Sequence, residues 1–533
     1  MADVGRLARP APVSRNALMV AGWFVTVSLV ALLAGAVIGL DSKVVSLLLV
    51  GAISAIIILS LPSVAVFWVL LVVILILTGL VQYFGRVNQV QWIPSILAGA
   101  MFFRTILELV KKRTDSAVTM PAGRLPIPAF VWLFALYATV ALAANIGNVG
   151  SLIQFVAGLK NYIAIWGVLF FIAVAAITPQ SLVKIWKGVI VIALLQFGIV
   201  LYQHFFVAPK RSLVTMGLHR PAWDSVVGTF GGDPDGGGAS GALALFLVVA
   251  MTLLMALWKN GLVRTLPLVV GSGLILLSLA LAEVKIVLVL VPLAVLLVFL
   301  GSFVRRPLAF VSSALLVGSV LVALGLVYQM LYWQYGGGYN IPAAENFERA
   351  IETTLDPNNV NPVTGAVGRT ASLAIWARDP KSDISEKILG HGFGASRIGA
   401  TGIGDIARRY YPYQITPSAA ASMLWDIGLL GLVAFTAVLV SAALSARRLA
   451  REPSIPPFHR AVLEAVTVSL GLVYVTVFYN GDLLYLPATG FLLMLLMGQV
   501  AYWHFRINMR PLGAPASSGL DTAGALAPRT GFR

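Results

Sequence analysis

Long apolar runs separated by short polar connections dominate the chain. A bilayer core needs about 20 mostly apolar residues per helix, and the runs have that length. They predict fourteen transmembrane spans, at 16–40, 43–60, 62–82, 92–110, 127–145, 160–178, 183–207, 239–257, 266–282, 286–303, 308–330, 418–445, 461–479 and 484–504. The pattern therefore predicts an all-α polytopic membrane protein with about 14 (12–14) transmembrane helices.

The run at 92–110 has the least regular composition, because it contains Pro94, Arg104 and Glu108. It either spans the membrane, lies on its surface or is re-entrant. If it spans, basic clusters follow every even-numbered span from the fourth onward, as the positive-inside rule requires. This arrangement predicts that both termini are cytoplasmic. Arg104 and Glu108 are four residues apart, so a helix would let them pair on one face.

Two segments outside the spans are longer than simple connections. The predicted order is a cytoplasmic tail (1–15), helices 1–11 (16–330) with an external loop at 207–238, a large extracytoplasmic loop (331–416), helices 12–14 (417–505) and a disordered cytoplasmic tail (506–533). The large loop carries eight basic and eight acidic residues. Structureless loops beyond about 15 residues are uncommon, so we expect this loop to fold and to carry function.

Composition excludes several classes of protein. The chain is 59% hydrophobic and 11% charged, whereas soluble chains are about 25% charged, so a soluble protein is excluded. There is no cysteine, and the five histidines show no metal-binding spacing, so neither a metal nor another cofactor is expected. The net charge of +16 follows membrane topology, so no nucleic-acid partner is expected.

Three groups of residues, taken in order, resemble the O-antigen ligase and O-antigen (Wzy-type) polymerase superfamily of lipid-linked glycosyltransferases. The first is Arg220 followed by Gly228-Thr229-Phe230, and the second is Glu283-Val284-Lys285 between two apolar runs. The third comprises Gly368-Arg369, the stretch Leu389-Gly390-His391-Gly392-Phe393-Gly394, and Trp425-Asp426-Ile427-Gly428. This resemblance covers roughly residues 200 to 440.

The resemblance implies a GT-C-like enzyme of the bacterial inner membrane that acts on its extracytoplasmic face. The implied donor is an oligosaccharide on undecaprenyl diphosphate, and the further implied partners are membrane lipids, a chain-length regulator and a flippase. Arginine suits diphosphate because its planar fork binds phosphate oxygens bidentately. Arginine also stabilises the negative charge that develops on the leaving diphosphate, so a metal is not required.

Four cations are candidates for binding the diphosphate: Arg220, Lys285, Arg369 and Arg397. Lys285 and Glu283 interrupt an apolar region, where a charge is costly unless it faces a partner or a cavity. The acceptor hydroxyl needs a general base, for which the candidates are His391, Glu283 and Asp224. Tyr410, Tyr411 and Tyr413 are candidates for stacking on sugar rings. Asp426 is predicted to begin the helix after the loop and to be favoured there by the helix dipole.

For several of these residues a purely structural or lipid-contacting role stays open. Arg220 could contact lipid headgroups, Arg369 could pair with a local acid, and His391 could be structural. The three tyrosines could simply pack the loop.

Three functions remain open. A polymerase passes the glycan to a second lipid-linked repeat, whereas a ligase passes it to a lipid A core. Many members of the family carry a His-Asn pair before the post-loop helix, and here that place reads Thr416-Pro417-Ser418-Ala419, which favours the polymerase. A lipid-linked oligosaccharide flippase would also have many spans, but two related halves are usual in such carriers and no internal repeat is seen.

Overall fold

The computed structural model describes residues 53, 56, 58–115, 127–146, 148, 151–174, 177–210, 212–215, 218–221, 225–232, 239–331, 355–362, 365–399 and 402–508. The elements below belong to the unit that begins at Pro62. Several predicted segments lie wholly or largely outside these residues. They are the tail before residue 16, the spans 16–40 and 43–60, parts of the two long loops, and the tail after residue 508.

The described chain is mostly helical. The helices before the large loop are α1 (Ser63–Val72 and Thr78–Gly85, joined by a π-helical turn at Val73–Leu77), α2 (Ile93–Asp115, after a 3-10 turn at Asn88–Trp92), α3 (Ala129–Ala143), α4 (Leu152–Tyr162), α5 (Gly167–Val174, after a 3-10 turn at Ala164–Trp166), α6 (Pro179–Tyr202, followed by a π-helical turn at Gln203–Val207 and a 3-10 turn at Ala208–Lys210), α7 (Ser240–Lys259), α8 (Thr265–Leu281), α9 (Val287–Arg305) and α10 (Pro307–Leu331).

Short elements make up the described part of the large loop, and three long helices follow it. These elements are α11 (Arg369–Arg378), α12 (Ile384–Leu389), α13 (Asp405–Arg409), α14 (Ala419–Leu449), α15 (Pro457–Val477), α16 (Asp482–Tyr485) and α17 (Pro487–Asn508). Two antiparallel hairpins also occur: β1 (Ser212–Thr215) with β2 (Leu218–Pro221), paired Ser212 to Pro221, and β3 (Ile398–Gly399) with β4 (Gly402–Ile403), paired Ile398 to Ile403.

Within the described residues, ten helices are long and apolar enough to cross a membrane, and α3 and α8 are shorter apolar helices. Each span predicted from residue 62 onward coincides with one of these twelve helical segments. The predicted span 160–178 differs, because its helix begins earlier, at Leu152, and is interrupted after Tyr162. The prediction missed residues 152–159, where Gln154 lowers the apolar character of the run.

The doubtful segment 92–110 forms the helix α2, and its close packing against α5 explains its composition. A Cβ on Gly167 would lie 2.0 Å from the carbonyl oxygen of Ala98, so the two backbones touch. Arg104 pairs with Glu108 at 3.2 Å, as predicted. The pair keeps both charges satisfied along the apolar helix.

The two ends of the helix bundle differ in charge. At one end His459 contacts the carbonyl of Pro179, Tyr502 donates to that of Ile177, and Lys259 pairs with Glu464. This end, the basic face, carries the ends of α7, α9, α14 and α17 with Lys259, Arg305, Arg447, Arg448 and Arg506. At the opposite end, the loop face, the amide of Ala419 donates to Asn480, and the described part of the large loop covers this end.

Candidate functional site

A buried carboxylate organises the glycine-rich turn of the large loop. Asp426 is 1% exposed. Its Oδ2 accepts the backbone N–H of Gly394 at 3.0 Å, and its Oδ1 accepts that of Ser396 at 3.0 Å. A third donor is the hydroxyl of Tyr162, at 2.9 Å from Oδ2. The carboxylate therefore holds the turn 390–396 against the transmembrane helices.

Asp426 does not begin the post-loop helix. That helix, α14, begins at Ala419, with the Ser418 hydroxyl as its N-cap, so Asp426 lies inside it, two residues before a break at Gly428. The prediction of a helix-start role was therefore wrong. The apolar run at 418–445 already begins before Asp426, and the helix starts at that earlier point with Ser418 as its cap.

Two glycines let the turn approach α14 backbone to backbone. Gly390 and Gly428 both have positive φ values, 87° and 70°. A Cβ on Gly428 would lie 2.2 Å from the carbonyl oxygen of Ile388, and one on Gly390 would lie 2.5 Å from that of Asp426. Only glycine tolerates both the conformation and the contact. The amides of His391 and Gly392 then bond the carbonyls of Trp425 and Asp426.

An aromatic side chain fastens the same turn to α4. The Phe393 ring stacks on Tyr162, with the centroids 5.2 Å apart and the planes 6° apart. Gly158 leaves room for this ring, since a Cβ there would lie 2.2 Å from the Phe393 Cβ. The Phe393 amide donates to the side-chain oxygen of Asn145 at 2.9 Å.

Arg397 directly follows this turn and reaches the connection between the last two long helices. Its guanidinium lies 4.2 Å from the centroid of the Tyr485 ring, on α16. Both residues line a small pocket whose other walls are Gln154, Ala157, Gly158, Asn161, Tyr162, Gly394, Gly402 and Asp426. The loop and α4 thus enclose a small polar cavity.

A second small pocket shares Asn161 and Tyr485 with the first. Lys160 lines it together with Ser95 and an apolar wall of Ile165, Leu483, Leu484, Leu486, Pro487 and Gly490. The Lys160 ammonium lies 4.9 Å from the centroid of the Trp92 ring. We call the two adjoining cavities the paired pocket, which is polar at Arg397 and apolar beyond Lys160.

Two cations, Arg397 and Lys160, and one buried carboxylate, Asp426, line the paired pocket, so the cations outnumber the acid and favour an anion. Arg397 and Lys160 are near enough to repel each other. Among the described residues, neither has a carboxylate within salt-bridge distance. The buried side-chain oxygen of Asn161 between them has no hydrogen-bond partner in the described structure. Two unpaired cations beside a cavity are an arrangement that phosphate groups stabilise.

Arg369, predicted to bind diphosphate, anchors the loop. Its Nε donates to the backbone carbonyl of Tyr479, and its guanidinium lies 3.9 Å from the centroid of that ring. Tyr479 lies between α15 and α16, and Tyr485 ends α16. Arg369 and Arg397 therefore both contact the connection 478–486 between the long helices α15 and α17. The structure does not place Arg369 on the paired pocket.

His391, predicted as a base, faces the interior of the loop. Its Nε2 lies 3.0 Å from the Ser382 hydroxyl, which donates to Asp379, and Arg409 pairs with the same carboxylate at 3.0 Å. Burial lowers the pKa of His391, although the Glu386 carboxylate 3.9 Å from Nδ1 opposes this. The imidazole does not line the paired pocket.

The three predicted sugar-stacking tyrosines separate into two kinds. Tyr410 and Tyr413 pack on the loop's core of Ala395, Ile406, Ile415 and Trp425. Tyr411 is 66% exposed. Of the three, only Tyr411 offers a free ring face to a ligand.

Glu283 and Lys285 lie at the break between α8 and α9. Glu283 has a positive φ of 50°, whereas Lys285 is exposed. The Tyr328 hydroxyl donates to the carbonyls of Leu279 and Val284 and stabilises the break. Neither charged residue lines the paired pocket.

The remaining predicted residues belong to the external loop 207–238, which the structure describes only in part. Asp224 lies outside the described residues, and of Arg220 only the backbone, in β2, is described. Residues 225–232 are buried, and the side chains of Gln82, Gln196 and Gln203 accept the amides of Gly232, Thr229, Val227 and Gly228. The Gly228 amide is therefore already bonded and has no N–H free for a ligand.

Sequence reasoning missed Lys160, Asn161, Tyr162 and Tyr485. Lys160 stood at the edge of the predicted span, and only the helix that begins at Leu152 shows it as a charge inside the span, which is costly without a function or partner. Among the described residues, no group of three or more His, Asp or Glu could hold a metal ion. Comparison with models of known protein families and with curated proteins finds no match to this chain.

Proposed function

We propose that the chain is a multi-pass membrane glycosyltransferase that holds a polyprenyl-diphosphate-linked glycan in the paired pocket. The observation that carries the proposal is the convergence of Arg397 and Lys160, both without a carboxylate partner among the described residues, on a cavity with an apolar extension. A diphosphate with a prenyl tail has this combination of charge and apolar surface.

The chemistry follows from the placement of charge. Glycosyl transfer breaks the bond between the anomeric carbon and a phosphate oxygen, and negative charge grows on the departing diphosphate. Cations fixed beside that oxygen stabilise the transition state more than the ground state. The polar half of the pocket, with Gln154, Asn161 and Gly402, supplies polar groups for a sugar next to the diphosphate.

The membrane orientation is part of the proposal. Basic residues gather on the basic face, and the positive-inside rule assigns such a face to the cytoplasm. The loop face and the paired pocket are then extracytoplasmic, in the bacterial inner membrane, with both termini in the cytoplasm. Lipid-linked glycans that have crossed the membrane would reach the pocket from the outer leaflet.

The preferred acceptor is a second lipid-linked repeat, which makes the enzyme a polymerase of a cell-surface polysaccharide. The test uses the purified full-length chain in lipid nanodiscs with a lipid-linked repeat as the sole sugar substrate. Chain growth is the expected result. Transfer that requires added lipid A core would identify a ligase instead, and movement of unaltered substrate across proteoliposomes would identify a flippase.

A matched pair of variants ties that assay to the pocket. Lys160→Met should abolish product formation. The control is Lys187→Gln, which changes an exposed lysine of α6 toward the basic face, and it should leave product formation unchanged. Equal activity of both variants would contradict a role of the paired pocket in the reaction.

A further inference from the structure

A single buried carboxylate connects the two chain segments that carry the pocket's cations. Asp426 accepts the amides of Gly394 and Ser396, and Arg397 is the next residue. It also accepts the hydroxyl of Tyr162 at 2.9 Å. Tyr162 lies two residues after Lys160 on α4.

The geometry makes Asp426 a bridge and not an acid or base. Three donors share its two oxygens, and it is nearly completely buried, so it is committed to these bonds. Both oxygens are needed for the turn, because Oδ1 holds Ser396 and Oδ2 holds Gly394. An asparagine offers only one acceptor oxygen and would turn its N–H₂ toward one of the amides.

A second tie runs parallel to the first. Phe393 of the turn stacks on the ring of Tyr162, so this tyrosine contacts the loop through both its ring and its hydroxyl. The ring contact and the hydroxyl bond are separate, so removing the hydroxyl alone leaves the stack in place.

We propose that Asp426 and Tyr162 are positioning residues that set the separation of Arg397 from Lys160, and so the affinity of the paired pocket for a diphosphate. This inference rests on the proposed function. It assigns the two residues no contact with the reacting atoms. Their effect passes through Arg397.

The test is a double-mutant cycle on binding, with the full-length protein in nanodiscs and farnesyl diphosphate as the probe in isothermal titration calorimetry. Tyr162→Phe keeps the ring stack and removes only the hydroxyl. We expect it to weaken binding about tenfold, the cost of a hydrogen bond to a charged group. In an Arg397→Gln background it should cost nothing further, because the group that it positions is already absent.

The matched control is Tyr502→Phe, which removes a buried tyrosine hydroxyl bond to the Ile177 carbonyl at the basic face. It should leave binding unchanged. Asp426→Asn should behave like Tyr162→Phe in both backgrounds, and if it does not fold, Tyr162→Phe decides the question alone.

The outcomes separate the two proposals. Wild-type binding with additive losses for Tyr162→Phe and Arg397→Gln would overturn the positioning role and leave the proposed function standing. Unchanged affinity of Tyr162→Phe would do the same. Absence of farnesyl diphosphate binding by the wild type would overturn the proposed function and this inference with it.

Discussion

The Arg397 guanidinium lies over the Tyr485 ring, 4.2 Å from its centroid, so an arginine of the large loop meets the connection between the last two long helices. This contact places a permanent positive charge at the pocket without a carboxylate partner among the described residues. The ring orients the guanidinium by a cation–π interaction and leaves its N–H groups for a ligand.

Removing this charge should weaken diphosphate binding. Arg397→Gln loses charge-assisted hydrogen bonds worth about 1.5–3 kcal/mol, which corresponds to about 10- to 100-fold in affinity. Farnesyl diphosphate titration measures the effect. Arg408→Gln, on an exposed side chain of α13, is the control and should bind normally, and equal affinities would contradict a role for Arg397.

Arg369 should act on the loop's attachment. Arg369→Gln removes both the bond to the Tyr479 carbonyl and the stacking on its ring, so we expect amides of α11 to exchange hydrogen for deuterium faster and product formation to fall. Arg378→Gln, exposed at the end of the same helix, should leave exchange unchanged. If Arg369→Gln lost activity with wild-type exchange, a direct role on substrate would replace the anchoring role.

The glycine contact should tolerate no side chain. Gly428→Ala forces a residue with a Cβ into φ 70° and against the Ile388 carbonyl. Such strain costs about 1–3 kcal/mol, so the thermal unfolding midpoint should fall. Gly318→Ala in α10, where an added Cβ meets nothing within 4 Å, should not lower it, and equal midpoints would show that the break can relax.

Asp482 should make stability depend on pH. Burial raises the pKa of Asp482 to about 7, opposed by the bond from the Ala242 amide. The folded state therefore binds more protons than the unfolded state between about pH 4 and 7, and stability falls as pH rises through that window. Asp482→Asn should remove this fall, so its melting midpoint should exceed that of the wild type more at pH 8 than at pH 5. Parallel profiles would contradict the shift.

Chelation should leave activity intact. Lys160 and Arg397 supply positive charge where a divalent ion would otherwise be needed, so we expect product formation to persist in EDTA. Loss of product that added magnesium restores would contradict this expectation.

The apolar pattern was sufficient for the helices and insufficient for the site. Run length reflects the thickness of the membrane, which acts on each segment separately, so the spans from residue 62 onward could be predicted. Lys160 fell at the predicted edge of a span, where a lysine is ordinary. Its importance comes from Arg397, 237 positions later in the chain, and no local pattern encodes that proximity.

The motif residues show the same limit. The glycine turn at 390–394 was singled out for its histidine, but that histidine faces Ser382 and the arginine after the turn faces the pocket. Asp426 was singled out too, with a role that local helix chemistry suggests. Its actual partners, Gly394, Ser396 and Tyr162, are distant in sequence, so only tertiary structure could reveal them.

The buried stretch 225–232 ties two distant helices to one another. Four of its amides are bonded by glutamine side chains of α1, of α6 and of the turn after α6, and an irregular backbone without such partners is not stable in lipid. A substitution that separates α1 from α6 would therefore leave buried amides without acceptors as well as removing the helix contact.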